Sequence, residues 1–167
     1  MIRFQLVRGK GVSSKLIAWW GTGWNGYSHV DCLMADGSLI GARDDRLRMP
    51  SGRLVPPGIQ VREPGYEVWD RRTVYTLVAL QPVTDQWELY VRSHVGEKYD
   101  EQDILDLLLG RKPVDHGRRI CSAFATDSLQ AVGVWPSVLS HPSLQTTPDT
   151  LAFGLSVGGA LATEMPV

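Results

Sequence analysis

An α+β fold is predicted for this chain of 167 residues, and three observations predict it. Short alternating segments near the N-terminus read as strands. An Asp-Gly pair inside them reads as a hairpin turn. Most segments of helical period come later instead of alternating with the strands. That segregation argues for an antiparallel sheet with helices packed on it, not for a doubly wound parallel sheet. The length suits one hydrophobic core, so residues 1–167 are read as a single domain.

The elements follow in order. "IRFQLVRG" (2–9) alternates and reads as a first strand. "SSKLIAWW" (13–20) reads as a short helix with Ser13 or Ser14 as its N-cap. A glycine-rich loop, "GTGWNGY", leads into "SHVDCLMADGSLIGAR", a hairpin of strands 28–34 and 38–43 around Asp36-Gly37. Residues 44–58 are polar and carry Pro50, Pro56 and Pro57, which predicts a long loop. "IQVRE" reads as a short strand and "RTVYTLVAL" as a stronger one. Thr84 is the expected cap of a helix over "DQWELYVRSHV" that stops at Gly96. "EQDILDLLLG" is a further helix, and "RKPVDHGRR" a linker. The last helix starts at Cys121, shows Phe124, Ala125, Leu129 and Val132 at helical spacing, and closes at Gly133. The tail from 134, rich in proline and small residues, is assigned no element.

Composition narrows the function. The chain is 43% hydrophobic and 21% charged with a formal net charge of −1, so no global field draws it to nucleic acid or to a membrane surface. No apolar run reaches the ~18–20 residues of a membrane span. "MIRFQLVRGKG" has no signal-peptide core, so a cytoplasmic location as synthesised is expected. Two cysteines are too few for a disulfide scaffold, which makes reduced thiols the expectation and a Cys32–Cys121 bridge the alternative. No zinc or phosphate-loop spacing is present, and neither a metal nor a cofactor is expected.

Cys121 is the first chemical candidate. A helix N-terminus lowers a thiol pKa, and the backbone N–H groups of Cys121 and Ser122 are placed to receive an oxyanion. The plainer reading is a buried small hydrophobe. His29, at the start of a strand behind the glycine loop, is the natural base. By itself it reads first as a surface or hydrogen-bonded histidine. His94 ends a helix, and His116 and His141 sit in loops. Trp24, in the glycine loop, is a candidate wall for a substrate groove, whereas Trp19 and Trp20 read as core.

Taken together, "YSHVDCLMADGSLIGAR", "VGEKYD" (95–100) and "ICSAFATDSLQAVG" resemble, in order and spacing, the histidine hairpin, Gly-x-x-Tyr-Asp segment and cysteine helix of the permuted papain-like cysteine hydrolases, the circularly permuted branch of the NlpC-type cell-wall peptidases. The matching pieces span roughly residues 27 to 133. The resemblance implies a permuted papain-like fold: an antiparallel, partly barrel-like sheet packed against the helix that begins at the cysteine. It implies Cys121 as nucleophile, His29 as general base, Tyr99 near the site, and peptide or amide substrates, peptidoglycan fragments among them. Phage- or envelope-associated action fits the same resemblance.

The family often carries a third polar residue on the hairpin's second strand, where this chain has Gly41. Asp31, on the same strand face as His29, or Gln60, on a later strand, is the expected substitute; a backbone carbonyl or water is the third option. Tyr99 also reads as a packing residue beside an Asp100 helix cap. The alternatives to a peptidase or amidase are an acyltransferase or thioesterase on lipid-like substrates, and a non-catalytic binding or structural module of a phage or envelope assembly.

Overall fold

Strand β1 (Ile2–Gly9) is buried on both faces: Ile2, Phe4 and Leu6 point to one side, Gln5 and Val7 to the other. A strand covered on both sides sits in the middle of a sheet. It pairs antiparallel with β2 (His29–Leu33) and with β7 (Trp69–Leu77). The computed structural model describes residues 1–10, 26–99, 120–134 and 146–166. The helices expected over 13–20 and 101–110, together with Trp24, Asp100, His116 and His141, lie outside the described residues.

The hairpin forms where its turn chemistry demands. Gly37 has φ of 83°, and the Asp36 carboxylate accepts from the Ser38 amide at 2.9 Å, so the chain reverses into β3 (Leu39–Arg43). Strand β6 (Gly58–Arg62) pairs with β3, and β8 (Leu161–Glu164) pairs with β7. The sheet runs β6-β3-β2-β1-β7-β8, with every pairing antiparallel. Its edges, β6 and β8, do not pair with each other, and every residue of β8 is exposed. The sheet is therefore open, and the expected barrel-like closure is not what these strands form. The stretch 44–58, expected as a loop, holds a separate small hairpin of β4 (Leu47–Arg48) and β5 (Leu54–Val55).

Three helices are described. Helix α1 (Gln81–Ser93) begins four residues before the expected start at 85. Pro82 in its first turn explains this, since proline presets φ and needs no hydrogen bond there. Thr84 is not the cap: its hydroxyl donates back to the Leu80 carbonyl at 3.3 Å and accepts from the N-terminal amine of Met1 at 3.0 Å. Helix α2 (Cys121–Ala131) closes as its sequence predicts, with Gly133 at φ 67° and the Val134 amide donating to the Leu129 carbonyl at 3.0 Å. Its burial is wider than the apolar stripe suggests, because Ser122, Ala123, Thr126 and Ser128 are buried as well. Helix α3 (Pro148–Val157) and β8 occupy the proline- and small-residue-rich tail, where the sequence predicts no element. Thr147 caps α3 by accepting from the Thr150 amide at 3.1 Å, and Pro148 opens it.

Two apolar clusters flank the sheet. The larger joins Phe4, Leu6, Val30, Cys32, Ile40 and Ala42 to the helices, and the smaller gathers Val7, Leu39, Met49, Val55, Tyr66 and Trp69 on the opposite side. No described helix is long and apolar enough to cross a membrane.

Candidate active site

The start of β2 is pinned from both directions. The Ser28 amide donates to the Val7 carbonyl at 2.9 Å, and the Ser28 hydroxyl accepts from the Gly9 amide at 3.0 Å. His29 therefore leaves a rigid strand end, and its ring lies nearly parallel to that of Trp69, 13° between planes. Side-chain alternation sends Val30 and Cys32 into the helix-facing core and leaves His29 and Asp31 on one face together.

On that face His29 Nε2 lies 2.9 Å from Asp31 Oδ1. Asp31 is fully buried. Burial alone would raise its pKa, but the Arg62 guanidinium and then His29 outweigh it and hold the carboxyl well below the usual carboxylate range. A carboxylate can only accept, so in this contact Nε2 carries the proton.

Cys121 is a second neighbour of His29, through a charge and hydrogen-bonding interaction that acts on both groups. Burial pushes the Cys121 pKa up, but the His29 charge, its hydrogen bond and the Val30 backbone amide together bring it below an ordinary thiol. Burial likewise pulls His29 down, and the charges of Asp31 and then Cys121 carry it above its usual value. The two shifts favour the same state, a thiolate beside an imidazolium. Cys121 also opens α2, whose first-turn amides, those of Cys121 and Ser122 among them, precede the first intrahelical bond from the Phe124 amide to the Ile120 carbonyl. The Ser122 side chain is buried, and its hydroxyl has no partner among the described residues.

The other expected site residues divide. Tyr99 stands near Cys121, since the thiolate charge is among the causes that raise its pKa after burial. Gln60 does not reach His29. Its amide nitrogen donates to the Asp45 and Pro56 carbonyls at 2.9 and 2.6 Å, which fixes the β4–β5 hairpin instead. Gly41 lies across from Asp31 in the continued β2–β3 register and across from Gln60 in the next. A Cβ there would fall 2.5 Å from both Asp31 Oδ1 and Arg62 Nη2, so the expected third position is bare because the Asp31–Arg62 pair fills its space.

Arg62 and Tyr66 carry no motif in the sequence. Both are buried against Asp31: Arg62 Nη2 donates to Oδ1, and the Tyr66 hydroxyl donates to Oδ2 at 2.8 Å. The available signal was parity, since Gln60 and Arg62 share a face of "GIQVR" just as His29 and Asp31 share a face of "HVDCL".

Both cysteines are free, so the Cys32–Cys121 bridge is not formed. Among the described residues no group of three or more His, Cys, Asp or Glu is placed to hold a metal ion. The fold and these side chains define a protein of mainly antiparallel sheet with a hydrogen-bonded imidazole and carboxylate near a thiol that opens a helix. Neither a family model nor a curated protein matches the chain.

The two thiols should react unequally. Cys32, buried mid-strand, has its pKa pushed up by burial and then by the Asp31 charge, the opposite direction to Cys121. With iodoacetamide at pH 7, Cys121 is expected to alkylate at least about tenfold faster, one pKa unit's worth of thiolate. Mass spectrometry of the labelled peptides checks this, and equal rates would remove Cys121 as an activated thiol.

Proposed function

We propose that this chain is a cysteine hydrolase of permuted papain-like architecture, acting on amide or peptide bonds of the cell-wall type. The observation that supports it is the Cys121–His29–Asp31 constellation at the junction of α2 and β2. In this reading the Cys121 thiolate attacks the carbonyl carbon, and the amides of Cys121 and Ser122 receive the oxyanion. His29 gives its proton to the leaving amine, which departs as the thioester forms. The same imidazole then takes a proton from water, and the hydroxide displaces the thiolate to release the acid. Asp31 holds the imidazole throughout and does not itself take the proton.

Purified peptidoglycan fragments incubated with the protein, with newly exposed amines followed by mass spectrometry, test this reading. Cleavage is expected from the unaltered chain and none above background from Cys121→Ala or His29→Ala. Turnover of acyl thioesters with intact peptides would favour the acyltransferase or thioesterase alternative. No turnover of either, with an unreactive thiol, would favour the binding module.

A further inference from the structure

Asp31 does not face His29 alone. Arg62 is fully buried and holds the same Asp31 oxygen that accepts from His29, and its Nη2 stands 3.3 Å from His29 Nε2. Nη1 donates to Gln60 Oε1 at 3.3 Å, and the guanidinium lies 5.1 Å from the centroid of the Tyr66 ring. A buried guanidinium is costly to desolvate, and orienting an imidazole needs only a hydrogen-bond acceptor. Its presence calls for a reason beyond orientation.

The reason lies in the charge count. In the reactive state Cys121 is negative, His29 positive and Asp31 negative. Three buried groups of that kind leave one uncompensated negative charge. Asp31 is in contact with the imidazolium and would neutralise it, so the thiolate would be the charge left over. Arg62 brings the sum to zero. It balances Asp31 and leaves the imidazolium to the thiolate. The other titratable or charged groups around this cluster, among the described residues, include Tyr66, Cys32 on β2 and Tyr99 near Cys121, with Arg43, Asp44 and Asp45 behind the two tyrosines; Arg72 of β7 shares a cross-strand row with His29 and is held by Gln5 Oε1 at 2.7 Å. None of them supplies a positive charge in contact with Asp31.

We infer that Arg62 is a positioning residue that balances Asp31, so that Asp31 orients His29 without drawing the imidazolium's charge away from Cys121, and that Gly41 is bare to admit the pair. This inference rests on the hydrolase reading. Gly41 supplies independent geometry: any side chain there would displace the Asp31 and Arg62 atoms that touch each other.

The test is the pH profile of Cys121 alkylation by iodoacetamide in the unaltered protein, Arg62→Met, Arg62→Lys and Gly41→Ala. Arg62→Met is expected to move the acid limb upward by about one pH unit or more, roughly tenfold slower labelling at pH 6, with the rates converging near pH 10. Convergence at high pH separates a lost thiolate from a thiol made inaccessible. Arg62→Lys keeps the charge and should stay near the parent profile, and Gly41→Ala should shift in the same direction as Arg62→Met. A folded Arg62→Met with an unmoved limb, or a Lys variant shifted as far as Met, overturns the inference and leaves the hydrolase reading standing. An ordinary thiol profile in the unaltered protein overturns both. If Arg62→Met fails to fold, carbon-13 NMR of the Asp31 carboxyl in the parent protein decides. It should stay ionised throughout the titration of Cys121, and a carboxyl that takes up a proton in that range overturns the inference.

Discussion

Asp31→Ala is expected to slow amide turnover by up to ~10⁴-fold and to destabilise the fold by about 3–5 kcal/mol. The two losses have separate causes. Turnover falls because His29 Nε2 loses its acceptor at 2.9 Å, so the ring can rotate and adopt the wrong tautomer. Stability falls because the buried Arg62 guanidinium would lose its carboxylate and keep only neutral neighbours, Gln60 Oε1 and His29 Nε2, each at 3.3 Å. Breaking a buried ion pair by removing one partner leaves an uncompensated charge, which is the expensive case. Urea unfolding followed by circular dichroism reads the stability term, and cleavage of the peptide substrate reads the catalytic one. Gln60→Ala is the comparison: it cuts hydrogen bonds to the Asp45 and Pro56 carbonyls and the 3.3 Å contact from Arg62, but leaves the His29–Asp31 and Arg62–Asp31 contacts in place, so it should lower stability while keeping turnover within a few-fold. A Gln60→Ala loss as large as that of Asp31→Ala would contradict this assignment.

The same residue shapes acid stability. Asp31's folded-state pKa lies below its ordinary value, so its ionisation contributes stability that is complete above the ordinary carboxylate pKa of about 4 and is lost as pH falls toward the folded value. His29 has the opposite sign. Its raised pKa contributes stability that is complete below the ordinary imidazole value of 6.5 and is lost as pH rises through the folded value. The Asp31→Ala variant should therefore show a flatter acid limb in unfolding free energy than the parent.

Trp87→Ala is expected to cost about 3–5 kcal/mol, the range for emptying a large aromatic site. Trp87 is fully buried and ties together three elements. From α1 its ring meets Phe4 of β1 edge-on at 5.5 Å, and its indole nitrogen donates to Ser128 of α2 at 2.9 Å. Trp87→Phe should cost less, because it keeps most of the volume and the aromatic contact. Ser128 also remains satisfied, since its hydroxyl donates to the Ala125 carbonyl at 2.7 Å. Thermal and urea unfolding of both variants check the order. Helix α2 carries Cys121 at its far end, so Trp87→Ala should also slow Cys121 alkylation relative to Trp87→Phe. Equal stability of the two variants would mean that the cavity closes by collapse of α1 onto the sheet.

Local chemistry made several elements legible. The Asp36-Gly37 turn needs only Gly37's positive φ and an Asp side chain, both written in adjacent residues. The end of α2 at Gly133 and the alternation of β1 are equally local. The start of α1 differs from the sequence expectation because Pro82 in its first turn, and not a Thr84 cap, sets it. Strand β8 stayed hidden because four exposed residues carry no alternation, and only pairing with β7 makes them a strand.

By itself the sequence determined the hairpin that carries His29 and Asp31, the helix that opens on Cys121, and the empty side chain at Gly41. These depend on spacing along the chain, through strand parity, helix caps and turn residues. The tertiary structure alone decided which candidate stands against the imidazole, and it brought in a buried arginine from a strand that lies next to β2 only through β3. Register sets that choice. Asp31, Gly41 and Gln60 share one row across three strands, while Arg62, one step along the same face of β6, reaches over the bare Gly41 to Asp31. Which charges balance one another in a low-dielectric interior depends on such cross-strand distances, and these are settled only when the sheet assembles.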